Sequence, residues 1–385
     1  MKKRTLLTIA LAGLAQTASA QAPGDILFTT DYEDGSADTV ELLRVASGTA
    51  DTLVTWSPGD QTEQRQIGQI ARGPNGEYYT GNSPLPVQNP STASIRRIDN
   101  IFDPMTRTTS TFRSSDPVQS VEGMAYDPTT NHLLFANNPG SGFNLPLREE
   151  GVLGIDLNNP ANVSVVIDEP SFGDPRPRYN SFNIVRHDRL RSNNFYIGTV
   201  NGGVDDDPTV PPNADPEASL IGRLVMNNPA DPTDVSFSTL IDLSASVTGL
   251  DRTLSRIRGI ASADNGNIYV AEERTRSIYE VVLDGNGDFV GISKILDLDV
   301  ALDSGNTGEF AQPFGIIYNE FTGKLNYIEK GFGLTGRIVE VNLDGTGRTV
   351  LLDNVPATSL IAVPTPSTLA LVGLGSIAAG RRRRR

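Results

Sequence analysis

The sequence predicts an all-β chain folded as a six-bladed β-propeller, in which each blade is a four-stranded antiparallel sheet. Three observations lead to this prediction. The 385 residues include 37 Gly and 25 Pro, a content that suits many turns and few helices. A phrase made of a short strand, a polar turn and an aromatic-rich strand recurs along the chain. Two further strand-like segments follow the clearest copies, so the repeating unit has four strands.

The recurring phrase predicts a β-hairpin. In each copy Asn, Pro or Gly separates two runs of strand-forming residues, and these turn residues accept the positive φ values that a tight return requires. The copies occupy residues 69–79, 123–136, 259–271 and 315–327. Each copy therefore supplies the first two strands of one unit.

The segments after the hairpins predict the outer two strands. Residues 277–283 alternate polar and apolar side chains, and a turn at 284–287 leads to another such run at 291–296. The same order returns between residues 337 and 352. Alternation of this kind is typical of strands with one face more buried than the other.

The spacing of the second strands gives the number of units. These strands fall near Ile26, Tyr78, Leu133, Phe195, Ile268 and Leu325. Six units across residues 21–363 have about 57 residues each, which is long for a blade and leaves room for loop insertions. The largest insertion is predicted between residues 202 and 217, where prolines forbid a regular strand.

The first unit lacks its first strand, because it begins directly at residues 25–32. Residues 358–363 include good strand formers and end before Pro364, which cannot donate to a ladder. We therefore expect the N- and C-terminal strands to pair, which closes the ring and hides two sheet edges. The phrase at 259–270 also resembles that of NHL-type and gluconolactonase-type six-bladed propellers, and the resemblance implies the same fold. Two stacked β-sandwiches, the alternative, would not account for the shared repeat.

Residues 1–20 are predicted to be a secretory signal peptide. Basic residues at positions 2–4 precede an apolar run at 6–15 that is too short to span a bilayer comfortably. Ala18 and Ala20 supply the small side chains that signal peptidase requires before its cleavage site. A buried N-terminal helix, the alternative, would not explain the basic start. We therefore expect export by the general secretory route.

Residues 364–385 follow the predicted domain and form a second sorting segment. Its motif consists of Val363, Pro364, Thr365 and Pro366. A short run rich in Gly and Ala and five terminal arginines come next. This arrangement resembles the PEP-CTERM signal of bacterial surface proteins, which an exosortase recognises and cuts, although Thr365 stands where the commonest form has Glu. The resemblance implies a secreted or cell-surface protein with transient membrane contact; the alternative is an ordinary C-terminal membrane anchor.

The charge distribution argues against a nucleic-acid partner. The formal charge of the chain is −14. Eight of the 32 Lys and Arg lie in the two terminal segments, so the domain between them contains 24 basic residues and 46 Asp and Glu. Phosphate contacts need a basic face. The absence of Cys excludes disulfides, thiolate metal sites and cysteine nucleophiles. The sequence has no Gly-x-Ser-x-Gly elbow and no phosphate-binding Gly-rich loop with Lys-Ser or Lys-Thr.

A calcium site is considered in the long insertion. Asp205, Asp206 and Asp207 form a dense acidic cluster, and several carboxylates on one loop suit Ca²⁺. The alternative is a solvated acidic loop in an acidic protein. Residues 284–288 begin like an EF-hand loop, but Ile295 stands where a bidentate acid is needed, so a plain hairpin turn is predicted.

The resemblance to gluconolactonase-type propellers implies another divalent-metal position, held in the central channel by Glu, Asn and Asp side chains from strand starts. It carries over to Glu122 and Asn183. Further ligands do not follow, because Arg258 and Phe314 stand before the later hairpins. Arg256 and Arg258 are instead expected to pair with nearby acids, since carboxylates are in excess.

These observations lead to one functional expectation and one alternative. We expect an exported surface or matrix protein whose propeller binds a polysaccharide or protein ligand or acts as a scaffold, because no catalytic residue set is identified. Signal peptidase and exosortase are its expected processing partners. The alternative is a metal-dependent hydrolase or lactonase of the gluconolactonase type, for which Glu122 and Asn183 are the only sequence support.

Overall fold

The computed structural model describes residues 21–30, 37–56, 67–82, 94–114, 117–118, 121–137, 151–168, 180–201, 218–298, 312–330 and 336–364. Within these ranges the chain forms 24 β-strands and one helix of four residues, Ala245–Thr248 (α1). No helix in these ranges has the length and apolar content needed to cross a membrane.

The strands form six antiparallel four-stranded sheets, which are the predicted blades. From the channel outwards, blades 1 to 3 consist of Ala357–Ala362 (β24), Ile26–Thr30 (β1), Thr39–Arg44 (β2) and Thr49–Thr55 (β3); Ile67–Arg72 (β4), Tyr78–Asn82 (β5), Ser94–Asp99 (β6) and Thr108–Ser114 (β7); and Val121–Asp127 (β8), His132–Asn137 (β9), Gly151–Asp156 (β10) and Val163–Asp168 (β11). Blades 4 to 6 consist of Asn180–His187 (β12), Asn194–Asn201 (β13), Leu220–Met226 (β14) and Val235–Asp242 (β15); Ile257–Ser262 (β16), Ile268–Glu272 (β17), Ser277–Leu283 (β18) and Phe289–Asp297 (β19); and Gln312–Asn319 (β20), Lys324–Lys330 (β21), Gly336–Val341 (β22) and Thr349–Val355 (β23). The predicted fold class is confirmed, and each of the six predicted second strands is present.

The innermost strands β4, β8, β12, β16, β20 and β24 surround a central channel, and each contacts the next around the ring. Every blade has the same strand order, so all six inner strands run in the same direction along the channel. Their first residues therefore lie at one face of the ring and their last residues at the opposite face.

The ring is closed by pairing of the chain's two ends, as predicted. Strand β24 pairs antiparallel with β1, and Ile26 lies opposite Ala362. The closing strand begins at Ala357, one residue before the predicted start. Beyond it, the Val363 N–H donates to the carbonyl oxygen of Asp25 at 2.8 Å. The channel-side edge of β1 is therefore paired, as the inner edges of the second strands in the other blades are.

Glycine in the recurring phrase allows neighbouring inner strands to approach each other. A Cβ at Gly123 would lie 2.7 Å from the carbonyl oxygen of Asn183 in the next inner strand. A Cβ at Gly259 would lie 2.7 Å from the backbone nitrogen of Ile316. The backbone at these positions has no room for a side chain, so the glycines set the width of the channel.

The apolar core lies between adjacent blades. Tyr196 and Ile221 of blade 4 pack in one buried cluster with Ile260, Val270 and Tyr279 of blade 5. Such side chains come from alternate positions of the strands, because successive residues point to opposite faces of a sheet. Each blade is therefore stabilised mainly by its neighbours.

The turn at 284–288 is the predicted hairpin turn. The Asp284 N–H donates to the carbonyl oxygen of Asp288 at 2.9 Å, and Gly287 has a φ of 83°. The Asp284 carboxylate accepts the backbone N–H of Asn286 at 2.8 Å. Backbone hydrogen bonds of this kind lower the pKa of Asp284. The carboxylate therefore stabilises the turn itself.

Candidate functional site

The two ends of the central channel carry different side chains. The end nearer the starts of the inner strands, named here the Glu122 mouth, carries Glu122, Asn183, Arg258 and Phe314. The end at the last residues of these strands, named the Arg186 mouth, carries Arg186, Ser262 and Tyr318.

Glu122 and Asn183 lie on adjoining inner strands. Glu122 is the second residue of β8, Asn183 lies within β12, and both are partly exposed. β8 and β12 approach each other closely beside Glu122, because Gly123 has no Cβ that would clash with the backbone of β12. The fold thus brings two oxygen-bearing side chains that are distant in sequence to the same part of the channel.

The next inner strand contributes a cation to this mouth. The Nε atom of Arg258 makes an ion pair with Glu273, and its guanidinium lies 5.7 Å from the centroid of the Phe314 ring. The Nη1 atom of Arg256 lies 3.5 Å from the same Glu273 carboxylate. The expectation that both arginines pair with acids is confirmed. The Lys330 ammonium also lies 4.4 Å from the Phe314 ring centroid, so this aromatic ring has two cations beside it.

The described residues at the Glu122 mouth supply part of the metal site that the resemblance implies. A set of Glu, Asn and Asp requires a second acid, and the guanidinium of Arg258 stands on the next inner strand instead. Within the part of the chain that the structure describes, no three His, Asp or Glu side chains are grouped closely enough to hold a metal ion. Glu122 and Asn183 are the members of the implied ligand set that the described residues bring to this mouth.

Several predicted site residues fall outside the described ranges. They are Ala18 and Ala20 of the signal peptide, Asp205, Asp206 and Asp207 of the acidic cluster, and Thr365 and Pro366 of the sorting motif. The first two residues of that motif are described. Val363 is fully buried and packs in the cluster between blades 1 and 2, and Pro364 follows it directly.

At the Arg186 mouth, the sequence patterns alone had not singled out Arg186 as a site residue. Its Nε atom donates to the carbonyl oxygen of Ile260 at 2.8 Å, and its Nη2 atom lies 3.5 Å from that of Ile316. The side chain thus reaches from blade 4 to the inner strands of blades 5 and 6. Burial lowers the pKa of its guanidinium to about 10. The signal that could have found it is its position in the recurring phrase, which carries Ser262 and Tyr318 in the next two units.

A second arginine connects the same three blades beside it. The Nε atom of Arg189 lies 2.8 Å from Asp264, and its Nη2 atom lies 2.5 Å from Glu320. Its guanidinium is 5.3 Å from the Tyr318 ring centroid, and the Tyr318 hydroxyl donates to Asp264 at 3.2 Å. Arg189 is therefore fully paired, whereas Arg186 has only backbone acceptors among the described residues.

A cavity of about 210 Å³ lies at the Arg186 mouth. It is lined by Arg186, His187, Arg189, Ala261, Ser262, Ile317, Tyr318, Glu320, Ile361 and Ala362. These residues come from four of the six blades, which places the cavity on the channel. Three charged side chains, two hydroxyl groups and several apolar side chains line it, and such a mixture of polar and apolar walls is typical of a small-molecule site.

Comparison with known proteins supports the fold. No protein-family model matches the chain, and no curated protein matches it in sequence. A periplasmic gluconolactonase from Pseudomonas aeruginosa is 13% identical with a TM-score of 0.54, over 90% of this chain and 100% of that one. TolB from Acinetobacter baumannii is 13% identical with a TM-score of 0.53, over 88% of this chain and 66% of that one. Regucalcin, a calcium-binding protein from Agrobacterium tumefaciens, is 13% identical with a TM-score of 0.49, over 77% of this chain and 78% of that one. The chain is a six-bladed β-propeller whose structural neighbours include gluconolactonase-like propellers.

Proposed function

We propose that the propeller hydrolyses a lactone or a related cyclic ester at the Glu122 mouth. The observation that carries the proposal is the placement of Glu122 and Asn183 on adjoining inner strands, at the channel positions to which the gluconolactonase resemblance assigns oxygen-bearing side chains. The substrate class is taken by fold-level analogy from the periplasmic gluconolactonase whose fold this chain shares.

The proposed chemistry is general-base hydrolysis. The Glu122 carboxylate takes a proton from a water molecule, and the water oxygen forms a bond to the carbonyl carbon of the lactone. The Asn183 side-chain amide donates a hydrogen bond to the carbonyl oxygen as negative charge develops there. The ring C–O bond then breaks, the proton held by Glu122 passes to the ring oxygen, and a hydroxy acid leaves.

Glu122→Gln is expected to lower kcat/KM for a hydrolysed lactone by about 100-fold or more, because the amide cannot accept the proton. The measurement is acid release from a panel of γ- and δ-lactones by the purified protein, in added Ca²⁺ and in chelator. Asp353→Asn is the matched control, because Asp353 lies on the outermost strand of blade 6 and its carboxylate pairs with Arg337 at the surface. The proposal is wrong if the wild-type protein releases no acid above background in either condition.

Ligand binding without turnover is the second candidate, and the arrangement at Phe314 favours it. The cations Arg258 and Lys330, which lie over the Phe314 ring, offer hydrogen-bond donors to a carbohydrate ligand, as in the polysaccharide-binding expectation. The same panel separates the two functions. Saturable binding of a lactone or oligosaccharide without acid release would indicate a binding module.

For location, we propose that the protein is exported and cut at both ends. The signal-peptide and PEP-CTERM-like segments of the sequence support this proposal. Because Val363 is buried in the domain, the C-terminal cut is expected to fall after Pro364. Intact-mass measurement on secreted material should therefore give a chain that begins at Gln21 and lacks the terminal arginines. Exported protein that retains residues 381–385 would contradict the exosortase part of the proposal.

A further inference from the structure

Arg186 is a largely buried cation in an acidic protein, and the described residues give it no carboxylate partner. Its neighbours differ. Arg189 pairs with Asp264 at 2.8 Å, and Arg191 pairs with Asp188 at 2.8 Å. Burial of a charge without a counter-charge costs free energy, so an arginine kept in this state is placed to receive an anion.

The Arg186 guanidinium also has N–H groups that are not used in its contacts with the backbone. An arginine has five N–H bonds, and the backbone acceptors recorded for Arg186 are the carbonyl oxygens of Ile260 and Ile316. The contact with Ile260, at 2.8 Å, orients the guanidinium, and the contact with Ile316 is long at 3.5 Å. The remaining N–H bonds have no acceptor among the described residues, and Arg186 lines the cavity.

Ser262 supplies a second donor to the same cavity. Its hydroxyl oxygen accepts the backbone N–H of Arg189 at 3.1 Å, which orients the hydroxyl. The hydroxyl hydrogen is not used in that contact and is available to a ligand. Ser262 is itself buried, so a hydrogen bond from it to a bound group is shielded from water.

The other walls restrict the kind of anion. Ile317, Ile361 and Ala362 are apolar and suit a carbon skeleton. The Glu320 carboxylate, held by Arg189, lies on the cavity wall and disfavours a second negative charge on the ligand. At ~30 Å³ per water-sized group, the cavity of about 210 Å³ holds about seven such groups.

We propose that the Arg186 mouth is a binding site for a small organic monocarboxylate. The carboxylate pairs with the Arg186 guanidinium and accepts the Ser262 hydroxyl, and the carbon skeleton lies against the apolar wall. The site is separate from the Glu122 mouth, and the proposal does not depend on hydrolysis there.

The test is titration of the purified full-length protein with lactate, with propionate and with inorganic phosphate, followed by calorimetry and by thermal unfolding. Lactate and propionate are expected to bind saturably and to raise Tm, because a ligand that binds only the folded state stabilises it. Arg186→Gln is expected to weaken binding by about tenfold or more, because it removes a charge-assisted pair. Arg337→Gln, which removes a surface arginine of blade 6, is expected to bind as the wild type does.

Two further variants keep the test decisive if Arg186→Gln does not fold. Arg186→Lys keeps the charge without the planar fork, and Ser262→Ala removes the second donor; each is expected to bind more weakly than the wild type. The proposal is overturned if the wild type binds neither carboxylate, if Arg186→Gln binds as well as the wild type, or if phosphate binds at least as tightly as lactate.

Discussion

Deletion of the residues after Pro356 is expected to unfold the whole domain. The deletion removes β24, which pairs with β1 on one side and contacts the inner strands β4 and β20 on the other. Leu360 is 2% exposed and Val363 is fully buried, and each such side chain contributes about 1.5–3 kcal/mol when buried. Together with the lost ladder, the loss approaches the ~5–15 kcal/mol that stabilises a typical domain.

The measurement is urea unfolding followed by circular dichroism. A chain that ends at Pro364 is the control, and it should unfold at the same urea concentration as the full-length protein. A synthetic peptide of residues 357–364 should restore part of the lost structure to the shorter chain, because it supplies the missing strand in trans. If the shorter chain unfolds at the control's urea concentration, the closing strand does not stabilise the ring.

Gly123→Ala is expected to destabilise the folded protein and to disturb the Glu122 mouth. The new Cβ would lie 2.7 Å from both the Asn183 carbonyl oxygen and the Val185 backbone nitrogen. Both atoms belong to backbone in the next inner strand, so β8 and β12 must separate. Overpacking of this kind costs about 1–3 kcal/mol, and the separation also moves Glu122 away from Asn183.

Gly291→Ala is the matched control for that substitution. Gly291 also lies in a strand, the outermost strand of blade 5, and no atom lies within 4 Å of the position its Cβ would occupy. Its free energy of unfolding should change by less than about 0.5 kcal/mol. Equal stability of the Gly123→Ala and Gly291→Ala proteins would show that the inner strands can separate without cost.

The fold could be predicted because its determinants are local and repeated. A hairpin such as 259–271 is set by alternation and by turn residues only a few positions apart, and repetition turned that local signal into a blade count. Ring closure followed from one missing strand, although the prediction placed its start at Thr358 and the structure places it at Ala357. Local patterns reveal strands well for this reason.

The side-chain contacts within the channel could not be predicted by the same reasoning. The acceptors of Arg186 are the carbonyl oxygens of Ile260 and Ile316, which lie 74 and 130 positions further along the chain. No spacing rule relates residues on different blades, because their proximity arises only when the ring closes. Glu122 and Asn183 were identified through a resemblance, and Arg258 was identified as an interruption of that pattern.

The closing pair of strands also determines how a tethered molecule would be oriented. Ile26 lies opposite Ala362, and Asp25 bonds to Val363, so both ends of the domain leave the ring at the face that carries Arg186. A support attached beyond Pro364 would hold that face inward and turn the Glu122 mouth toward the surroundings. Large solutes would then reach the Glu122 mouth. The Arg186 mouth would receive molecules small enough to diffuse between the domain and its support.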